Sequence, residues 1–222
     1  MIALTHLMKS LRLLAHTLLT LLLVLLSSSS YAKEWAFDVY LDKTKIGEHI
    51  FNLSEDKTLT SRAKFNVKLL FINAYQYDHQ ATESWDKNCI KSLEADTLEN
   101  KIKTVVKGQR QADHFEVSNG KESQSLPSCT MTFAYWNQRI LEQSKLLNPQ
   151  NAEYLDTSVK KLGKKTLEVK GKALETLHYK LDASLNGKPK LNIELWYSAD
   201  QQEWVGLKSI TPEGYQIYYK LK

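Results

Sequence analysis

Three residues in the first half of the sequence are candidates for acid–base chemistry: His49, His79 and Glu83. A buried histidine beside a carboxylate can act as a general base or help to bind a metal ion. His79 and Glu83 lie four residues apart, which is roughly 13 Å along a strand, so they cannot bond each other directly. Each needs a partner on a neighbouring strand, and His49 is a candidate for either.

A structural role for these residues is the alternative. A histidine and a carboxylate inside a β protein can satisfy each other and hold the strands in register. We favour this role, because no nucleophile or third ligand has a suitable spacing in the sequence. No metal site and no cofactor are predicted.

Aromatic side chains accompany His79 and could line a pocket. The alternating pattern places Tyr75, Tyr77 and Trp85 on the same face as His79, while Tyr135 and Trp136 open a later segment. That later pair could form the floor of a pocket or the buried stripe of a helix. The residues predicted to bind a ligand are Tyr75, Tyr77, His79, Trp85, Tyr135 and Trp136.

Most of the sequence alternates polar and apolar residues with a period of two, which is typical of half-buried antiparallel strands. The clearest stretches are Leu59–Leu69 and Phe71–Trp85. The spacing changes to three and four only near residues 131–146, where we predict one inserted helix. About eleven strands with short turns predict a mainly β fold, in which a single antiparallel sheet curves into a half-barrel or an open barrel.

The first 32 residues have the three parts of a cleavable signal peptide. Lys9 and Arg12 precede an apolar run of about 14 residues, and small residues lead up to a processing site after Ala32. The run is short for a membrane-spanning helix, which needs roughly 20 residues, so an uncleaved anchor is the less favoured alternative. We therefore predict a periplasmic protein in which residues 33–222 form one domain.

The two cysteines, Cys89 and Cys129, both lie in the part predicted to be exported. In an oxidising compartment an even pair is most simply a disulfide. Closing a loop of about 40 residues contributes roughly 3–4 kcal/mol on the chain-entropy model. Two thiols this far apart do not suggest a metal site.

Charge argues against nucleic acid as a partner. The chain has 30 basic and 25 acidic residues, and removal of Lys9 and Arg12 leaves 28 against 25, a net charge of +3. One basic run stands out, and it could touch anionic lipid head groups or simply protect a solvated strand edge. Its lysines are Lys160, Lys161, Lys164, Lys165, Lys170 and Lys172.

Several short sequences resemble those of a family of exported Gram-negative proteins that is classified only as a domain of unknown function. They are KIGEHIF (45–51), AYQYDH (74–79), ESW (83–85), FAYWN (133–137), LLNPQ (146–150) and LWY (195–197). This resemblance implies no reaction and no ligand. The closing strands also resemble, more loosely, the half-barrels of exported lipoprotein carriers and sigma regulators, which hold acyl chains on a concave apolar face. That second likeness concerns the fold alone.

The function expected from the sequence is non-catalytic: a periplasmic binding or carrier protein for an apolar ligand such as a lipid. One alternative is an envelope enzyme that uses His49, His79 and Glu83. Another is an envelope assembly factor that binds a partner protein through an exposed sheet edge. The ligand and the oligomeric state are left open by the sequence.

Overall fold

The computed structural model describes residues 32–69, 72–211 and 214–222, with the backbone alone described at residues 68, 69, 72 and 73. The predicted signal peptide, apart from its last residue, lies outside these residues. The described chain forms fourteen strands and one short 3-10 helix, Gln138–Glu142. The strands are β1 (Lys33–Leu41), β2 (Thr44–Leu53), β3 (Thr58–Leu69), β4 (Ile72–Asp86), β5 (Cys89–Glu99), β6 (Ile102–Arg110), β7 (His114–Ser118), β8 (Ser123–Pro127), β9 (Lys145–Leu147), β10 (Tyr154–Val169), β11 (Lys172–Leu185), β12 (Lys188–Ser198), β13 (Trp204–Ile210) and β14 (Gln216–Leu221).

All fourteen strands belong to one antiparallel sheet. Their order is β8-β7-β6-β5-β4-β3-β2-β1-β14-β13-β12-β11-β10-β9, so the first and last strands of the chain lie side by side in its middle. The edge strands β8 and β9 are only five and three residues long, as expected for edges protected from further pairing. Within the described residues, no helix is both long and apolar enough to cross a membrane.

The alternating pattern produces a sheet with one buried face. In β3, Leu59, Ser61 and Ala63 are buried, and the residues between them are exposed. The same alternation continues in β4, where every second side chain from Tyr77 to Trp85 is buried. The mainly β class and the curved, half-barrel-like sheet predicted from the sequence are confirmed.

The sheet has fourteen strands rather than about eleven. Three of the fourteen are short, because β7 and β8 have five residues each and β9 has three, and strands of this length give little signal in sequence. Gly163, although glycine between two apolar stretches is typical of a turn, does not end a strand here. It has a φ of +111° and sits at a bulge within the continuous β10, where the register to β11 shifts.

The prediction of a helix near residues 131–146 is wrong: this segment is mostly irregular, and its helical part is the five-residue 3-10 helix. Backbone contacts hold the start of the segment against β9, since Leu147 N–H donates to Met131 O and Phe133 N–H donates to Leu147 O. Asn137 accepts a hydrogen bond from Arg139 N–H and caps the short helix. The apolar residues spaced by three and four are buried by an irregular chain that packs on the sheet, and these tertiary contacts override the local helical pattern.

Residues 129–150, here called the crossing segment, lie against the concave face of the sheet. The segment contacts strands from both halves of the sheet: Thr132 donates a hydrogen bond to Glu83 in β4, and Tyr197 in β12 donates one to the Tyr135 carbonyl. A large apolar core therefore fills the space between segment and sheet. A smaller second core, which includes Phe65 and Tyr77, lies beside it.

Candidate functional site

A cavity of about 100 Å³ lies between the crossing segment and the concave face of the sheet. Its walls combine aromatic rings with four polar side chains from β2, β3 and β4 and with the segment itself. The residues that line it are His49, Phe51, Leu59, Ser61, His79, Ala81, Glu83, Phe133, Ala134, Tyr135, Trp136, Asn148, Pro149, Gln150 and Leu191. All three residues proposed for acid–base chemistry are among them.

Strand register brings the two histidines together. His49 pairs with Ala63, and Ala63 pairs with His79, so the histidines occupy one row across β2, β3 and β4. The residue between them is alanine, whose small side chain leaves room for both rings. Glu83 faces the same side, because it lies four residues after His79 on β4.

His49 is buried and bonded to two hydroxyl groups. Its Nε2 lies 2.7 Å from Ser61 Oγ, and its Nδ1 lies 3.2 Å from the hydroxyl of Tyr219 in β14. The imidazole stacks on Phe51 with ring centroids 3.9 Å apart. Burial, with a smaller effect from nearby His79, lowers the pKa of His49 well below its usual value of 6.5. The ring is therefore neutral at pH 7.

His79 is also held by a hydroxyl. Its Nδ1 lies 2.8 Å from Thr97 Oγ1 on the neighbouring strand β5, and this hydroxyl donates a longer bond of 3.4 Å to the Gln150 carbonyl. Burial lowers the pKa of His79 to about 4, against weaker effects of Asp78 and Asp96 in the other direction. His79 is thus a neutral imidazole at the cavity wall.

Glu83 accepts two hydrogen bonds at one oxygen. Trp85 Nε1 lies 3.1 Å from Oε2, and Thr132 Oγ1 lies 3.0 Å from the same atom. Burial raises the pKa of Glu83 to about 7, and these two bonds only partly offset it. No hydrogen bond joins Glu83 to either histidine within the described residues. The sequence suggested His49 as a cross-strand partner for His79 or Glu83. In the structure, hydroxyl and indole groups are the hydrogen-bond partners of these residues instead.

The predicted ligand-binding aromatics fall into three groups. Tyr135 and Trp136 line the cavity together with His79. Trp85 lies behind this wall, with its ring 5.6 Å from that of Trp136. Tyr75 and Tyr77 lie outside the lining and pack in or against the smaller core.

Trp136 has an unusual hydrogen-bonding state. Its indole N–H is buried and has no acceptor within the described part of the chain. The side chain lines the cavity and also a depression on the surface formed with Lys57, Lys87 and Asn88. Trp136 thus separates the cavity from solvent and offers an unused donor at that boundary.

The predicted disulfide is confirmed and lies where the crossing segment begins. Cys89 at the start of β5 is bonded to Cys129, across 40 residues of sequence. Immediately beyond, Ile90 N–H donates a hydrogen bond to the Thr130 carbonyl. The disulfide therefore fixes one end of the segment that covers the cavity.

The lysine run lies on the β10–β11 hairpin. Lys160 and Lys161 are exposed and have no ion pair among residues 32–69, 72–211 and 214–222. Lys164 forms an ion pair of 2.8 Å with Glu175, and the ammonium group of Lys165 lies 5.7 Å from the centre of the Trp196 ring. The hairpin thus presents a basic surface, part of which is already used by the protein.

Four polar partners in the site were missed by the sequence analysis: Ser61, Thr97, Thr132 and Tyr219. Ser61 had a signal, because it occupies an apolar position in the alternation of β3. Tyr219 had none, since it is 170 residues from His49 in sequence. Among the described residues, no group of three or more His, Cys, Asp or Glu side chains is arranged to hold a metal ion.

Among proteins of known structure, this chain resembles one whose domain has no known function. The chain is similar to the crystal structure of a beta-barrel-like protein of domain of unknown function DUF1849 from Brucella abortus, with 14% sequence identity. The match covers 86% of this chain and 95% of that one, with a TM-score of 0.62, and it shows a shared fold. No curated protein matches the sequence. A family model described as domain of unknown function DUF6134 matches residues 37–222, and the chain belongs to that family.

Proposed function

We propose that this chain is a periplasmic binding protein that holds the apolar end of a ligand, such as the end of an acyl chain, in the cavity beneath the crossing segment. The observation that carries the proposal is the cavity lining, in which aromatic and aliphatic side chains surround a few polar groups. Sites for small molecules have this composition, because apolar walls supply affinity and a few polar groups fix orientation.

The size of the cavity limits the bound group. A volume of about 100 Å³ is smaller than the roughly 150 Å³ of an apolar cavity that binds benzene. It is also below the roughly 300 Å³ at which pockets for drug-sized ligands begin. A short acyl group fits inside, and the rest of a longer lipid would extend past Trp136 toward solvent.

The compartment and the membrane partner are part of the same proposal. The signal sequence supports export, and the Cys89–Cys129 disulfide is the bond expected in an oxidising compartment. The lysines of the β10–β11 hairpin support docking on anionic lipid, since each basic residue near such a surface contributes about 1 kcal/mol. The unpaired Lys160 and Lys161 are the strongest contributors in this scheme.

Native mass spectrometry of the exported protein, followed by titration with hexanoate, tests the binding function. We expect an acyl-containing molecule to co-purify and hexanoate to bind. Ala81→Leu fills the cavity and is expected to weaken hexanoate binding at least tenfold. Thr82→Leu adds the same side chain on the exposed face of the strand and serves as the matched control. Absence of both co-purified ligand and hexanoate binding would overturn the proposal.

A further inference from the structure

The cavity contains a serine bonded to a histidine, an arrangement that binding alone does not require. Ser61 Oγ lies 2.7 Å from His49 Nε2, and both side chains line the cavity. The two residues face each other diagonally across β2 and β3, where Phe51 is the direct partner of Ser61. A hydroxyl within hydrogen-bond reach of an imidazole is the pairing that activates a serine nucleophile.

We propose that Ser61 and His49 form an acyl-transfer site that hydrolyses small carboxylic esters, with Ser61 as nucleophile and His49 as general base. This proposal rests on the proposed function, because the ester's acyl group occupies the cavity assigned there to an acyl chain end. It adds a reaction to that binding.

His49 has the protonation state that a general base needs. Its pKa lies well below 6.5 because the ring is buried, so the imidazole is neutral and able to accept the Ser61 proton. In the tautomer with its proton on Nδ1, that nitrogen donates to the Tyr219 hydroxyl at 3.2 Å and leaves Nε2 free to accept. Tyr219 is thus a positioning residue, and stacking on Phe51 fixes the plane of the ring.

Trp136 provides a hydrogen-bond donor for the reaction. Attack on an ester carbonyl places negative charge on its oxygen, and a fixed N–H in a site shielded from water stabilises that charge. Trp136 lines the same cavity, and its buried indole N–H has no acceptor within the described residues. An ester carbonyl held against it would satisfy this donor.

The reaction proceeds in two balanced halves. Ser61 Oγ attacks the carbonyl carbon while its proton passes to His49 Nε2, and the carbonyl electrons move to the oxygen. The oxygen then reforms the carbonyl, the bond to the leaving oxygen breaks, and His49 returns the proton to give an alcohol and acyl-Ser61. Water repeats these steps, giving up a proton to His49, and releases the carboxylic acid with Ser61 restored.

Labelling with an alkyl fluorophosphonate tests the nucleophile, because it forms a covalent adduct with an activated serine and releases fluoride. We expect one adduct on the exported protein, mapped to Ser61 by peptide mass spectrometry. Ser61→Ala should abolish the adduct, and Ser84→Ala, on the opposite face of β4, should leave it unchanged. His49→Gln keeps a hydrogen-bonding side chain but cannot take the proton, and should slow labelling at least about 100-fold.

The pH profile and a phenylalanine variant separate catalysis from structure. Because the pKa of His49 is lowered, labelling should stay constant from pH 8 to pH 6. Tyr219→Phe should slow labelling about tenfold and shift the Nδ1 nitrogen resonance of His49 without a matching loss of thermal stability. Turnover of short-chain acyl esters should disappear with Ser61→Ala.

Failure of this inference is distinguishable from failure of the binding function. If hexanoate binds the wild-type chain and Ser61→Ala equally but no adduct forms at Ser61, the acyl-transfer site is overturned and binding stands. If an adduct forms but maps to another serine, the inference is also overturned. Adduct formation at Ser61 without either a co-purified ligand or hexanoate binding supports the nucleophile and removes the binding proposal on which the substrate class depends.

Discussion

Two clusters of histidine and glutamate lie on opposite faces of the same sheet, and their environments differ. The inner cluster, His49, His79 and Glu83, lines the cavity, where each residue is bonded to hydroxyl or indole groups. The outer cluster consists of His178 and Glu194 with Lys208. Here His178 Nε2 lies 2.6 Å from Glu194 Oε2, and Lys208 Nζ lies 2.9 Å from Glu194 Oε1.

The pKa values of the two glutamates show the consequence. Partial burial raises the pKa of Glu194, but the hydrogen bonds from Lys208 and His178 outweigh it, and the net pKa is lowered. Burial raises the pKa of Glu83 to about 7, and the hydrogen bonds from Thr132 and Trp85 only partly offset this effect. At pH 7 the outer glutamate thus carries a charge, whereas the inner one is about half protonated.

The inner cluster receives a hydrogen bond from the crossing segment that covers it, whereas the outer cluster is formed entirely by neighbouring strands of the sheet. Thr132 of the crossing segment contributes a bond to Glu83, and the disulfide fixes the start of that segment. His178, Glu194 and Lys208 lie on β11, β12 and β13, which are neighbours in the sheet. Changes to the inner cluster or to its cover should therefore affect stability more than a change to the outer cluster.

Removing the disulfide is expected to have the largest effect. Cys89→Ala with Cys129→Ala should lower the free energy of unfolding by about 3–4 kcal/mol, because the unfolded chain regains the freedom of a 40-residue loop. Denaturant unfolding measures this loss. Nitrogen–proton spectra should show larger changes for the Trp85 indole, which bonds Glu83, than for residues around Glu194. A loss below about 1 kcal/mol would contradict this account.

Glu83→Gln should stabilise the protein at alkaline pH. Between pH 4.5 and about 7 the unfolded chain has lost a proton that folded Glu83 keeps, so wild-type stability falls as pH rises. The total penalty is about 3 kcal/mol above pH 7. Glutamine carries no charge and its carbonyl can accept the bonds from Trp85 and Thr132.

The measurement is denaturant unfolding of both proteins at pH 5 and pH 8. We expect the variant to be more stable by less than about 1 kcal/mol at pH 5, where the unfolded chain has only begun to gain from ionising, and by about 3 kcal/mol at pH 8. A difference that does not depend on pH would show that Glu83 is ionised in the folded protein. Asp96→Asn, an exposed change on the neighbouring strand, provides the control.

His79→Gln should reduce the sensitivity of the fold to acid. The pKa of His79 is lowered from 6.5 to about 4, so between these values the unfolded chain binds a proton that the folded chain does not. Wild-type stability therefore falls by about 2 kcal/mol from pH 7 to pH 5 through this residue. The variant should lack that part of the loss in unfolding titrations at the two pH values. Equal pH dependence in both proteins would refute the assignment.

The fold could be predicted where one face of a strand is buried. The alternation in β3 and β4 shows which side chains face the core, so these strands and their buried faces could be predicted from the sequence. The structure of the crossing segment could not be predicted, because its apolar residues contact the sheet at a spacing that matches the helical period. Gly163 was ambiguous for a related reason, since a bulge and a turn both favour glycine at positive φ.

The site could be predicted in part. The alternation in sequence was enough to predict that His49, His79 and Glu83 lie on the buried faces of their strands. The strand register of the structure then brings them to one cavity. Their hydrogen-bond partners depend on which strands meet, and the pairing of β1 with β14 that brings in Tyr219 joins the two ends of the domain. Such pairing is a property of the whole sheet and has no local sequence signal.

Glu194→Gln should have the smallest effect and the opposite sign to Glu83→Gln. Because the pKa of Glu194 is lowered, its charge stabilises the fold above the unfolded pKa near 4.5, and this contribution is lost as pH falls. The side chain is 20% exposed, so solvent screening limits the loss at pH 7 to less than about 1 kcal/mol. The difference should shrink at pH 4 and in 1 M salt, as measured by denaturant unfolding. If Glu194→Gln instead stabilised the protein more at pH 8 than at pH 5, the distinction between a paired outer glutamate and an unpaired inner one would be wrong.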